Sequence, residues 1–251
     1  MDDPVHSKPT LARAAARSPV RAKSKPGATP RAKALVKPRI KATAEPGRTN
    51  DPARTMADII EVATHEFSEK GLAGARIDVI AEAMRTSKRM IYYYFGSKEG
   101  LYVAVLEAAY RRIRSIEAGL HLDDLAPEDA LRKLVGFTVD YQLANPDFVR
   151  LVMNENMHRG AFLAQSNAIQ KLNVPAIDAV RKVYERGRAS GVFRNGIDPV
   201  DLHMSISALS VFNVANKHTF SLIFKRDLDS PKAIVARRDS IVEMVVRFVR
   251  R

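Results

Sequence analysis

From residue 51 onward, apolar positions recur at helical spacing between capping residues and prolines. Asp51-Pro52 opens the first such segment, a capping carboxylate followed by proline at the first helical position. Met56, Ile59, Ile60, Ala63 and Phe67 follow every three or four residues, and Lys70-Gly71 ends the helix with a cation and a residue that tolerates left-handed backbone. A short second helix carries Ile77, Ile80, Ala81 and Met84 on one side. Arg85-Thr86-Ser87 then makes a turn, and Ser87 is placed to cap a third helix from Lys88 to about Tyr94. Ser97 caps a fourth, with Leu101, Val105, Leu106 and Ala109 facing inward. Three short helices, the last two joined by a tight turn, predict a helix-turn-helix.

The rest of the chain reads as amphipathic helices, so the predicted fold class is all-α: an N-terminal three-helix DNA-binding unit and a larger C-terminal helical domain. Pro127–Ala144 holds Ala130, Leu131, Leu134, Phe137, Val139 and Tyr141; Asn145-Pro146 breaks it, and the next helix runs to about His158. Pro175 is expected to open a helix through Val180, Val183 and Tyr184, stopped near Ser190-Gly191. Pro199 opens a long helix whose apolar residues (Leu202, Met204, Ile206, Leu209, Val211, Phe212, Val214) lie almost all round, which predicts burial on every side. Pro231 opens the last, with Ile241, Val242, Val245, Val246, Phe248 and Val249. These last two helices suit half of a four-helix homodimer interface, one face for the protomer and one for its mate. The other reading is a monomer whose final helices form its own core.

Composition adds a second kind of segment. Residues 1–52 carry twelve Lys/Arg against four Asp/Glu, net +8 of a whole-chain +13, and eight of the thirteen prolines, with no aromatic residue. Such a stretch buries too little apolar surface to offset its ordering entropy, so residues 1–51 are expected to form a disordered basic arm. Residues 52–110 are then the helix-turn-helix domain, and 111–251 the larger helical domain with the dimerisation helices. The arm lacks the apolar core of a secretory signal, and its prolines would break a transit-peptide helix. The longest uncharged run, Leu202–Asn216, is shorter than a membrane span. The expected location is the cytoplasm, associated with the nucleoid and with no membrane partner. Among 251 residues there is no cysteine, which excludes disulfides, Cys-ligated zinc, iron–sulfur centres and thiol nucleophiles.

The third helix concentrates the charge that matters. Between Ala83 and Lys98 stand four cations (Arg85, Lys88, Arg89, Lys98) and no carboxylate. Lys88, Arg89, Tyr92 and Tyr93 project to one side, and Ile91 and Phe95 to the other, toward the core. Cations find phosphates and guanine edges, and tyrosines add hydroxyl contacts. By itself such a face is more often simply solvated.

Residues 54–106 resemble the DNA-binding region of the tetracycline-repressor (TetR) family. The matching residues are Ile80-Ala81-Glu82-Ala83, Ser87-Lys88, Ile91-Tyr92-Tyr93-Tyr94-Phe95 and Ser97-Lys98-Glu99-Gly100-Leu101, with Phe67 and Lys70-Gly71 at the end of the first helix. The resemblance implies double-stranded DNA as partner and a third helix in the major groove. Ser87, Lys88, Arg89, Met90, Tyr92 and Tyr93 then face DNA, with Thr86 in the turn before them. Tyr94 and Lys98 match positions that touch backbone phosphate. Arg76 stands where the family often has a phosphate-binding Thr, so the helix cap is lost there. Arg85-Thr86 replaces a common Gly-Val, which asks Arg85 to adopt a backbone setting suited to glycine. Arg89-Met90 replaces a frequent Gly-Thr, so no operator sequence carries over from relatives. The family also dimerises through its last helices and binds small effectors.

The polar interruptions of the apolar helices are the effector candidates: Tyr141, Arg150, Asn154, His158, Asn213 and His218, with Asn156 and Asn216 beside them. Arg150 and the two histidines would suit an acidic, partly apolar molecule that weakens DNA binding by changing the spacing of the two heads. Glu155-Asn156-Met157-His158 has the Glu-x-x-His spacing of helical di-iron sites, but stands alone where two such motifs are needed. His65-Glu66 lacks a second histidine, with Glu69 nearby instead. No Walker A, Gly-rich phosphate loop or Gly-x-Ser-x-Gly is present. The expected function is a ligand-responsive, sequence-specific regulator, a repressor at a palindromic operator, with no cofactor, no metal and no enzymatic activity. The alternatives are a low-specificity architectural DNA-binding protein, or a helical enzyme with a metal at Glu155/His158.

Overall fold

A computed structural model describes residues 51–251; the predicted basic arm lies almost entirely outside the described residues. The described chain is helical throughout, with no β-strand among the described residues. Its helices are α1 (Pro52–Gly74), α2 (Ile77–Ala83), α3 (Lys88–Phe95), α4 (Lys98–Ala118), α5 (Pro127–Ala144), α6 (Pro146–Met157), α7 (Asn167–Ala189), α8 (Pro199–Ala215), α9 (Lys217–Phe224) and α10 (Pro231–Val249).

The N-terminal boundaries follow the local chemistry read from sequence. Asp51 accepts from the Ala53 amide at 3.0 Å, Ser87 from Met90 at 3.3 Å and Ser97 from Gly100 at 2.9 Å, each satisfying a donor the helix start leaves free. Gly71 breaks α1 with a φ of 65°, and a final turn continues to Gly74. Arg85 sits at φ 51°, the left-handed setting expected of it.

One later expectation is corrected. Pro175 does not open a helix: it lies inside α7, which begins eight residues earlier where Ser166 accepts from the Ile169 amide at 3.2 Å. The proline is tolerated because it and Lys171, whose carbonyl loses its helical donor, are both exposed, while Ala176 keeps the buried face. The Pro199 helix runs through all the apolar residues assigned to it. Asn216 ends α8 and starts α9, a separate helix that places His218 beyond the break.

Two clusters form the core. One gathers Leu131, Leu134, Val139, Val180, Val183, Leu202, Ile206, Ile241, Val245 and Val249 from α5, α7, α8 and α10. The other gathers Ile59, Phe67, Ile80, Ile91, Leu101, Tyr102 and Leu106 from α1 to α4, and also takes Leu151 of α6 and Ile169 of α7. The helix-turn-helix is therefore packed directly on α6 and α7.

α8 is not buried on every side within the protomer. Leu202, Ile206 and Ser210 form its buried stripe, while Val200, Met204, Ala208 and Phe212, each four residues apart, form an exposed one. α10 is divided similarly: Ile241, Val242, Val245, Val246 and Val249 face the core, and Ala236, Ser240, Met244 and Phe248 face outward.

Candidate nucleic-acid interface

α3 is anchored from beneath by Ile91, which is fully buried, and by Phe95, which packs against the same cluster. Helical periodicity then forces the intervening residues outward. Lys88, Arg89, Met90, Tyr92 and Tyr93 are all exposed, and Tyr93 is 77% exposed. Ser87 caps the helix at the exposed N-terminal end, where backbone N–H groups add to the attraction for phosphate. Tyr94 is half-buried, edge-on between Tyr93 and Phe95 with centroids at 5.3 and 6.4 Å. Thr86 is half-buried in the turn. A close approach behind this helix requires glycine: a Cβ at Gly100 would collide with the Phe95 carbonyl oxygen, so α4 can start tight under the end of α3.

The flanking cations are more constrained than their sequence suggests. Lys98 is half-buried and donates to the Ala73 carbonyl at 3.3 Å, which ties α4 to the end of α1. Arg76 makes no side-chain cap for α2, as expected. Its guanidinium is instead paired with Asp78 through two bonds, at 3.2 and 2.6 Å. Lys88 approaches the same carboxylate at 3.9 Å. The Arg76 hydrogen bond holds the Asp78 carboxyl well below the usual carboxylate range, at about 2. Asp78 is an acidic group that reading the Ala83–Lys98 window misses, because it arrives from the neighbouring helix. Asp78→Asn is therefore expected to raise affinity for DNA of any sequence several-fold and to steepen the salt dependence, as two phosphate-seeking cations lose their internal partner. Anisotropy titrations with random duplex at two salt concentrations check this; an unchanged affinity would mean that neither cation reaches DNA.

The six effector candidates are not brought together. Arg150 pairs with Glu69 of α1 and lies 3.8 Å from Asp147. The Asn154 amide donates to the Phe67 carbonyl of α1 at 3.3 Å. Both therefore hold α6 against the DNA-binding helices. His158 is exposed, with Nδ1 at 2.7 Å from the Asn154 carbonyl, and His218 is exposed on α9. Asn156 bonds its own helix, at Val152. Tyr141 is buried at a groove between α1, α4, α5 and α6. Asn213 and Asn216 line a separate cavity between α5, α8, α9 and α10.

Besides Tyr141, other polar groups of this region are buried or half-buried. Arg114 pairs with the buried Glu117, and its Nε has no partner among the described residues. Gln142 is buried with its Oε1 unpartnered. Burial, then the Arg114 charge, pushes the His203 imidazole below its ordinary range. Burial raises Tyr110 against the opposing pull of Arg114, and Tyr141 against that of Arg112 and then Arg114. No sequence signal marks Arg114, Gln142, His203 or Tyr110, because their burial comes from tertiary packing.

Glu155 and His158 do not assemble a metal site. Glu155 Oε1 accepts from the Phe162 and Leu163 amides, each at 2.8 Å. Among the described residues, His65, Glu69 and Asp147 do come close enough for a cation, but Arg150 already occupies both carboxylates. No helix of the described residues is long and apolar enough to cross a membrane.

Comparison with known proteins places these features. The family described as bacterial regulatory proteins, tetR family, matches residues 59–105, and the tetracyclin repressor-like C-terminal domain matches residues 127–245. The chain is 37% identical over 204 residues to the HTH-type transcriptional repressor NicS of Pseudomonas putida, across 81% of this chain and 96% of that protein. It is 34% identical over 161 residues to the HTH-type transcriptional repressor SCO4008 of Streptomyces coelicolor, across 64% of this chain and 78% of that one. Among solved structures, the transcriptional regulator SCO4942 of Streptomyces coelicolor superposes with a TM-score of 0.59 at 27% identity, over 78% of this chain and 98% of that chain.

Proposed function

The chain belongs to the TetR family of bacterial helix-turn-helix regulatory proteins, and on that premise we propose that it is a dimeric repressor that a small effector releases from a palindromic operator. It is a transcriptional regulator and not an enzyme. The observation that carries the reading is α3: a capped helix anchored by Ile91, presenting two cations and two tyrosines outward. Arg89, Met90, Tyr92 and Tyr93 read base edges in the major groove, with Ser87 and Lys88 at the helix entrance. Thr86, Tyr94, Lys98 and Arg76 contact the phosphate backbone. Residues 52–110 carry this activity, and residues 111–251 carry dimerisation and effector binding.

The exposed stripes of α8 and α10 support a homodimer through these two helices, since lone apolar side chains are ordinary on a surface but periodic stripes are not. A two-fold pair of recognition helices asks for half-sites one or more helical turns apart. The repressor names of the two similar proteins favour repression, by occlusion of a promoter. The effector acts by changing the spacing of the two heads, through α6, whose Arg150 and Asn154 grip α1. The cytoplasm, at the nucleoid, is the site of action.

Three substitutions test the assignment of contacts. Lys98→Ala is expected to weaken all sequences alike and to lower the salt slope by about one. Arg89→Ala and Tyr93→Ala are expected to change the ranking of operator variants, at about 1–3 kcal/mol per base contact. Quantitative binding to an operator library separates the two patterns; the same pattern for all three would remove α3 from the groove.

A further inference from the structure

We propose that the cavity between α5, α8, α9 and α10 binds a small organic carboxylate, its acid group held by Arg226 and Arg237 and its apolar body lying among aromatic and aliphatic side chains. The binding claim rests on the cavity alone; that the occupant is the effector rests on the repressor reading above.

The cavity exists because the chain makes a strap. α8 stops at Asn216, α9 runs two turns, and Lys225 reverses direction at a φ of 51°. Asp227 then accepts from the Asp229 and Ser230 amides at 3.0 and 3.2 Å, which sets the turn into α10. The enclosed volume is about 270 Å³. At ~30 Å³ for each water in the liquid, that is the space of roughly nine waters, or a molecule of about ten non-hydrogen atoms.

Its walls have two characters. Val139, Leu143, Phe212, Phe220, Leu228 and Ile234 are apolar, and the Phe212 and Phe220 rings meet edge to face at 5.7 Å. Four cations also line it: Lys217, Arg226, Arg237 and Arg238. Two are already neutralised, Lys217 by Asp229 at 2.9 Å and Arg238 by Asp140 at 2.7 Å. Arg226 and Arg237 have no carboxylate within ion-pair distance among the described residues.

Arg237 is also positioned. The Asn213 amide donates to the Leu209 carbonyl at 3.0 Å, which turns its oxygen toward Arg237, whose Nε donates to it at 3.0 Å. The remaining N–H groups of that half-buried guanidinium are left for another acceptor. A guanidinium fork with an unfilled acceptor position suits a carboxylate, which it binds through two parallel bonds. A neutral apolar molecule would leave the arginines unanswered, and an inorganic anion would leave the apolar wall unanswered. An occupant would touch α8 and α10 together, the two helices with exposed apolar stripes, so its presence could be felt at the dimer.

Calorimetric titration of the full chain tests the site with benzoate, phenylacetate, hexanoate and octanoate, each against its uncharged amide, and with inorganic phosphate. At least one acid is expected to bind, its amide tenfold or more weaker, and phosphate weaker than both. Arg226→Met and Arg237→Met should each lower the acid's affinity tenfold or more without moving the urea midpoint. Ile234→Trp should block binding by filling the cavity while keeping both arginines. Failure of all four acids to bind, equal affinity for acid and amide, preference for phosphate, or indifference to both arginine substitutions would each overturn the site. An acid that binds here without releasing operator leaves the site standing and overturns the effector reading. Operator release that persists in both arginine variants does the reverse.

Discussion

Met204→Arg is expected to turn the dimer into monomers and to lower operator affinity by roughly a thousandfold. Met204 is 61% exposed in the middle of the Val200–Met204–Ala208–Phe212 stripe of α8. That stripe lies opposite the one that packs into the protomer, so an arginine there meets solvent in a monomer and leaves the fold undisturbed. In a two-fold interface the same position occurs twice, and the two charges would be brought together and desolvated. A monomer then binds one half-site without the effective concentration the second supplies, typically a factor of 10²–10⁴. Sedimentation equilibrium with parallel anisotropy titrations reads both effects. A variant that stays dimeric would move the interface away from α8.

Glu155→Ala is expected to destabilise the protein by about 2–4 kcal/mol, measured by urea unfolding. Glu155 is buried in α6, and one oxygen accepts from two successive amides at Phe162 and Leu163. Hydrogen bonds to a charged acceptor contribute about 1.5–3 kcal/mol each, and these two share one oxygen on partly exposed backbone, which lowers their sum. Tyr102, fully buried in the helix-turn-helix core, lies against the same carboxylate, and burial followed by that negative charge pushes its hydroxyl well up. Glu155→Gln keeps an acceptor oxygen and should cost clearly less. Equal losses for both variants would mean that the charge, and not the acceptor, holds the loop.

The Glu155 site also shows what a linear reading could and could not reach. Its spacing to His158 matches a metal motif, yet its partners lie seven and eight residues downstream in backbone, where no side-chain pattern points. The caps at Asp51, Ser87 and Ser97 were legible because a cap is satisfied within three residues of itself. Ile91 and Tyr93 were assigned to opposite faces correctly because periodicity is equally local. Pro175 misled for the opposite reason: whether a proline starts a helix or interrupts one depends on which face meets solvent, and that is decided by packing. Arg150 and Asn154 were read as pocket residues because they interrupt an apolar helix, whereas α1 lies against that face and takes both as partners. Arg114, Gln142 and His203 went unremarked because only the fold buries them.

The proposed function gives the N-terminal basic segment and α3 different kinds of binding. The twelve cations in residues 1–52 are expected to raise affinity for any duplex and the on-rate, a contribution that would fade with salt. On the same reading, discrimination between sequences would fall to the few exposed side chains of α3. The most direct test of that division is the ratio of affinities for a footprinted genomic site and a scrambled duplex of equal length, measured with the full chain at physiological salt. A sequence-reading dimer predicts a ratio of at least about 10³, retained when the arm is removed. A ratio near one would contradict the account and leave an architectural protein that binds through charge alone.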